Sequence, residues 1–335
     1  MPRATRRAPW AVLPAALLLA ACGSAGDDTA AGSGAGSGSA DAAAERVVEH
    51  AYGSTEVPAD PQRVIALGWS DVENALALGV TPVGFRDWFG AGLNPWAAEL
   101  AEGEPFSVET PEDGFLYEEI LSLEPDLIFA NDGMTEAAYD RLSDIAPTVG
   151  PIEGGDSYGV PWDTALLCTG EILGREDDAR EFVGDVEARI EEVREAHPEY
   201  AGVQVGMGFP PGAGGQPALA TSADPRFQTL LNIGLSPSDA VVALDEQGET
   251  GAVEFGLEEL DRFEADLLLL YSYTDEVRTE ALAMPAFAAL DVVREDRVIW
   301  MPSDVADALT FGTALSIDYV LEKLPPLIAE KLPPA

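Results

Sequence analysis

"FLYEEILSLEPDLIFA" at residues 115–130 and "FGLEELDRFEADLLLL" at residues 255–270 align without a gap. Phe115 falls on Phe255, Glu118 on Glu258, Glu119 on Glu259, Leu123 on Phe263, Asp126 on Asp266 and Leu127 on Leu267, at a constant offset of 140 residues. In each copy a helical turn carrying paired glutamates leads through a short polar link into an apolar, strand-like run. One supersecondary unit met twice at this distance predicts two similar α/β lobes.

The sequence on either side of each copy agrees. "RVIAL" (63–67), "TPVGF" (81–85), "DLIFA" (126–130) and "PTVGP" (147–151) are short β-rich runs. Segments of helical period, such as "SDVENALALG" and "TEAAYDRLSDIA", separate them. The second half repeats the style with "VQVGMG" (203–208), "ADLLLLYS" (265–272) and "RVIWMP" (297–302). Short strands alternating with helices predict mostly parallel sheets. Between the halves, Pro161 suits a first helical turn, and Ala165, Leu166, Cys168, Ile172 and Leu173 recur at helical spacing. Gly174 interrupts before a second helical run, Glu176 to Ala196, which Pro198 stops. Cys168 reads as a small buried hydrophobe.

The N-terminal region reads differently. Arg3, Arg6 and Arg7 precede an apolar run from Trp10 to Ala21 that is too short for a membrane span and has the proportions of an export signal. Leu19-Ala20-Ala21-Cys22 resembles a lipobox, which predicts a signal peptide over 1–21 and a diacylglycerol on the Cys22 sulfur. The Arg6-Arg7 pair leaves Sec and twin-arginine export both open. Gly, Ala, Ser and Asp dominate the stretch after Cys22, so 22–45 is expected to be a flexible tether. The chain has 18 basic and 60 acidic residues; without residues 1–21, which hold three arginines, it has 15 against 60, a net charge of −45. Such a surface repels phosphate backbones and excludes nucleic acid as a partner.

Enzyme motifs do not assemble. His50 and His197 cannot be paired by spacing with a second ligand, so no protein-held metal is expected. "GWSDVE" (68–73) fails as a nucleophile elbow because residue 72 is Val, and "GAGG" (212–215) lacks the Lys-Ser/Thr of a phosphate loop. No catalytic residue and no cofactor is expected. Aromatic residues at strand ends remain: Trp69 after the first run, Trp88 beside Arg86, then Trp96, Tyr158, Trp162, Phe209, Tyr273 and Trp300, with Arg226 as a second cation. In open α/β sheets ligands sit outside the carboxyl ends of the strands, so this set predicts a shared cleft.

The stretch "AYGSTEVPADPQRVIALGWSDVENALALGVTPVGFRDWFG", followed by "LEPDLIFAN", "YDRLSDIAPTVG" and "GVPWDTALLCTGEILGREDDA", resembles the iron-siderophore substrate-binding lipoproteins of ABC importers, actinobacterial branch. The resemblance runs from about Ala51 to the C-terminus and is closest through residue 180. It implies a class III periplasmic-binding-protein fold: two Rossmann-like lobes, 46–160 and 176–335, joined by a single long helix over 161–175, with the ligand cleft between them. It also implies a ferric-siderophore ligand, ABC permease subunits as partners, a monomer, and a lipid anchor at the outer face of the cytoplasmic membrane. By position, Glu118 and Glu258 would be the permease-docking glutamates, the pair that the repeat also aligns. Anionic catecholate complexes call for several cleft cations, and here only Arg86 and Arg226 qualify, so a hydroxamate chelate is expected. A corrinoid, haem, or a sensing role without transport are the competing readings.

Overall fold

The computed structural model describes residues 46–109, 114–153, 160–212, 215–272 and 274–332. The expected signal peptide, Cys22, the tether to residue 45, Tyr158 and Tyr273 lie outside the described residues.

An antiparallel hairpin of β1 (Arg46–His50) and β2 (Gly53–Val57) comes first. Next in the chain are β3 (Val64–Ala66), α1 (Asp71–Ala77), β4 (Gly84–Arg86), α2 (Pro95–Ala98), β5 (Phe106–Val108), α3 (Tyr117–Ser122), β6 (Leu127–Phe129), α4 (Glu136–Ser143) and β7 (Thr148–Val149). The strands form one sheet in the order β5-β4-β3-β6-β7, parallel throughout. β3 and β6 are buried along their whole length, as parallel strands covered on both faces require. Apolar clusters fill both faces, one around Ile65, Leu67, Ile120 and Leu142, the other around Val57, Ala75, Phe129 and Ile172.

The chain leaves this sheet through α5 (Trp162–Leu173) and α6 (Glu176–Ala196). Gly174 separates them with φ 68, a left-handed conformation that caps α5. α5 lies within the stretch 161–175. The 21-residue α6 comes directly after it, so two helices occupy the passage between sheets. Cys168 on α5 is free and only half-buried, less enclosed than its helical spacing suggested.

The second sheet is built from β8 (Gln204–Phe209), β9 (Ala218–Ala220), β10 (Ser236–Pro237), β11 (Ala252–Glu254), β12 (Leu267–Tyr271) and β13 (Val298–Met301). α7 (Pro225–Asn232) and α8 (Asp239–Glu246) lie between its early strands, and α9 (Asp275–Ala283), α10 (Pro285–Ala288) and α11 (Asp291–Arg294) precede β13. α12 (Ser303–Phe311) and α13 (Ala314–Ala329) close the chain. β10, β8, β12 and β13 run parallel, and β9 and β11 pair antiparallel on the far side of β8. Among the described residues no helix is long and apolar enough to cross a membrane.

The 140-residue repeat has a structural cause. The Asp126 carboxylate accepts the N–H groups of Gln62 (2.8 Å) and Arg63 (2.9 Å), just before β3 begins. The Asp266 carboxylate accepts the N–H of Gln204 (2.9 Å) where β8 begins. Each aspartate thus ties the strand it introduces to the neighbouring central strand. Phe115 and Phe255 are buried, while Glu118 and Glu258 are exposed.

Candidate functional site

In the first sheet the strand order reverses between β3 and β6, which places a crevice beyond their carboxyl ends. Two aspartates build its floor. Asp71, the first residue of α1, is fully buried, and its Oδ2 accepts the N–H of Gly68 (2.7 Å) and of Asn131 (3.1 Å), so one carboxylate oxygen ties both strand-end turns together. Gly68 makes the approach feasible, because a Cβ there would lie 2.5 Å from Asp71 Oδ2. Asp132 Oδ1 accepts the Trp69 N–H at 2.7 Å and orients that residue from beneath. Burial pushes the Asp71 carboxyl well above the usual range, and the Asp132 charge adds to the effect. Burial also raises Asp132, while the Trp69 N–H and, less strongly, the Arg86 guanidinium pull it back. Two adjacent buried carboxyls resist carrying two charges. Asp71, the more completely buried of the two, takes the larger upward push.

Aromatic rings form the wall. The Trp69 ring stacks on Phe311 at 4.8 Å and 15°, and its Nε1 donates to the Phe311 carbonyl at 3.1 Å, a contact between residues 242 positions apart. Trp88 meets Trp69 edge-on at 5.2 Å, and the exposed Phe89 meets both Trp69 and Phe311 at 5.9 Å. Arg86 lies over Trp88, its Cζ 3.5 Å from the ring centroid. Gly133, with φ 66, gives both side chains room: a Cβ there would stand 3.3 Å from the Trp88 ring and 3.6 Å from Arg86 Nη1.

The second lobe offers a counterpart. Phe209 and Tyr271, at the ends of β8 and β12, stack at 4.9 Å and 19°. The Arg226 Cζ lies 5.7 and 5.5 Å from their centroids. Asp224 holds that guanidinium in bidentate fashion, accepting from Nε at 2.8 Å and from Nη2 at 2.6 Å, and also N-caps α7. Between the lobes lies a cavity of about 1030 Å³ bordered by Trp69, Asp132, Trp162, Asp224, Arg226 and Phe311. A smaller recess beside it is lined by Trp69, Arg86, Trp88, Phe89 and Phe311.

Of the residues expected at the cleft, Trp69, Trp162 and Arg226 border the cavity, Arg86 and Trp88 border the recess, and Phe209 borders neither but stacks on Tyr271 with the Arg226 Cζ 5.7 Å from its centroid. Trp96 and Trp300 also border neither. The Trp96 indole donates to Glu73 Oε2 at 2.9 Å and packs on Phe311 and Tyr319, while Trp300 packs on Phe287 with Arg278 above it. Strand-end reasoning applied to aromatics alone missed Asp132 in "ANDG", although it stands at the end of β6 as Trp69 stands at the end of β3. Phe311 carried no such signal, since it ends a helix rather than a strand. Among the described residues no cluster of His, Cys, Asp and Glu could hold a metal ion.

Two Rossmann-like lobes facing across an aromatic, arginine-bearing cleft define a solute-binding protein of the class III type. Residues 64–305 match the periplasmic binding protein family, and the chain belongs to it. It is 32% identical over 155 residues to the "Probable siderophore-binding lipoprotein YfiY" of Bacillus subtilis, a match covering 44% of this chain and 45% of that protein. The chain therefore spans less than half the length of that relative. The ferric-anguibactin-binding protein FatB of Vibrio anguillarum is 23% identical over 83% of this chain and 86% of its own. Among solved structures, a periplasmic solute-binding protein from Mycobacterium smegmatis superposes with a TM-score of 0.75 at 29% identity, covering 86% of this chain and 99% of that one. Streptococcus pneumoniae PiaA in complex with ferrichrome gives 0.68 at 27% identity, covering 85% and 98%.

Proposed function

We propose that this chain is an extracytoplasmic solute-binding lipoprotein that captures a ferric siderophore, of the hydroxamate type, and delivers it to the permease of an ABC importer. The observation that carries this reading is the inter-lobe cavity of about 1030 Å³, walled by stacked aromatics and flanked by one arginine from each lobe. Its volume lies at the upper end for small-molecule sites, which suits a bulky chelate. Flat rings grip the organic shell, and Arg86 and Arg226 donate hydrogen bonds to the oxygens that ligate the iron. The iron belongs to the cargo, and the chain performs no chemistry on it. The likeness to the ferrichrome-bound PiaA structure supports the same reading.

Delivery uses Glu118 and Glu258, one exposed glutamate on each lobe at equivalent points of the repeat. Leu121 and Leu257, beside them in sequence, are among the most exposed large apolar side chains of the described residues. Apolar contact beside a charge is what a docking patch for an arginine-bearing permease would present. The working form is a monomer, anchored through lipid on Cys22 at the outer face of the cytoplasmic membrane.

The test is a tryptophan-fluorescence titration of the full-length protein in detergent with ferric hydroxamates, ferric catecholates, haem and cobalamin. Trp69 and Trp88 in the wall predict strong quenching by a ferric hydroxamate. Quenching by haem or cobalamin alone would replace the siderophore reading.

A further inference from the structure

The loop that follows β4, residues 87–94, edges the recess and is pinned at both ends. At its start the Asp87 carboxylate turns back on the loop. Its Oδ1 accepts the N–H groups of Phe89 (3.3 Å) and Ala91 (3.2 Å), and its Oδ2 accepts the Gly92 N–H (2.8 Å) and the Ser107 hydroxyl of β5 (2.9 Å). Burial pushes that carboxyl up, but the hydrogen bonds outweigh it and hold the group below the ordinary aspartate range. At the far end the Asn94 amide donates to Glu73 Oε1 at 2.8 Å. A loop tied this way holds its side chains in place before any ligand arrives.

What it holds out is Phe89. The ring is 67% exposed, the highest value among the large apolar side chains of the described residues. It stands edge-on to Trp69 (85°) and to Phe311 (84°), which are stacked on each other. Trp69 and Phe311 come from different lobes, and both border the cavity as well as the recess. Phe89 therefore continues the aromatic wall across the seam between the lobes while most of its own surface stays open. A lone exposed ring on a protein surface calls for no explanation. A ring set at right angles to the cavity wall, on a loop fixed by four hydrogen bonds to one carboxylate, does.

On the reading of this cleft as a ferric-siderophore site, we propose that Phe89 covers the organic periphery of the bound chelate, and that Asp87 is the positioning residue that fixes it there. The contribution is contact area on the carbon skeleton of the ligand, so it does not depend on the ligand's charge. Because the loop is already built, the contact is made with little ordering cost, and its loss falls on dissociation more than on association.

The experiment measures ferrichrome binding by equilibrium and stopped-flow tryptophan fluorescence on the full-length protein in detergent. It compares the wild type with Phe89→Ala, Phe89→Tyr, Asp87→Asn, Asp87→Ala and the double variant Asp87→Ala/Phe89→Ala. Phe89→Ala is expected to raise Kd about tenfold, mostly through faster dissociation, with the urea midpoint hardly moved because the ring is exposed in the free protein. Phe89→Tyr, which keeps the ring, should stay within about threefold of the wild type. Asp87→Ala should cost about fivefold, and Asp87→Asn less, because one acceptor oxygen survives. In the double variant Asp87→Ala should add less than about twofold to Phe89→Ala, as a residue acting only through that ring must. A Phe89→Ala protein that binds within about twofold of the wild type overturns the assignment, and a loss of uptake with intact affinity would place Phe89 against the permease instead. Fully additive losses in the double variant overturn the positioning role of Asp87. If the wild type ignores ferrichrome but binds haem or cobalamin, the siderophore reading falls and the same variants are read on that ligand: a comparable loss keeps Phe89 as the cover, and unchanged affinity removes it. A wild type that binds none of these probes removes both readings.

Discussion

Glu73→Ala should destabilise the protein through a contact that joins the lobes. Glu73 sits on α1 of the first lobe and is 1% exposed. One of its carboxylate oxygens accepts from the Asn94 amide at 2.8 Å, and the other accepts from the Trp96 indole at 2.9 Å. The latter oxygen also accepts from the Thr313 hydroxyl, which belongs to the second lobe and N-caps α13. Alanine leaves three donors without a partner. At about 2 kcal/mol for the buried Thr313 hydroxyl and about 1 for each of the half-buried Asn94 and Trp96 groups, the gross loss is about 4 kcal/mol. Burial already raises the Glu73 carboxyl, so removing it returns some desolvation energy, about 1 kcal/mol. The net expectation is about 3 kcal/mol, with Glu73→Gln at about 1–2 because one acceptor oxygen survives. Urea unfolding followed by tryptophan fluorescence measures it as a shift in midpoint at constant slope. A loss below about 1 kcal/mol for Glu73→Ala would refute the reasoning, since a buried donor set cannot lose its acceptor that cheaply unless water replaces it.

The same physics predicts a pH effect at Asp71. Burial, with the Asp132 charge second, raises its carboxyl well above the ordinary 3.8, so the native state holds a proton there after the unfolded chain has lost it. Stability from this site is full below the ordinary aspartate range and is lost as pH rises through the folded-state value. Asp71→Asn should therefore gain on the wild type as pH goes from 4.5 to 8 in urea unfolding, and a constant difference across that range would contradict it. For docking, Glu118→Arg and Glu258→Arg should each cripple uptake while the affinity of the purified protein for its ligand holds; normal uptake by the double variant would dispose of the assignment. Cys22→Ala should abolish lipid labelling and release the protein from membranes, and a variant that stays bound would count against the lipobox.

Local patterning made much of this architecture readable in advance. The helical run read as Glu176 to Ala196 is α6, bounded as expected, because a 3.6-residue period between Gly174 and Pro198 is a local property. The repeat marked both lobes because Asp126 and Asp266 do the same local work, tying one strand start to the next. Trp69, Trp88 and Arg86 stand at or just past strand ends in the sequence, and strand ends converge on a crevice in any open parallel sheet.

What the tertiary structure alone decided is which of these groups meet. Glu73 reads as a solvated helix glutamate until Thr313, 240 residues later, is packed against it. Phe311 reads as the end of a helix until Trp69 stacks on it from the other lobe. Asp224 is one among 60 acids until it is found gripping the Arg226 guanidinium. Periodicity reports the neighbours a residue has within one element, and these contacts join elements brought together by the packing of two lobes. Their energies depend on burial and on distances of a few ångströms, and neither quantity exists until the chain has folded.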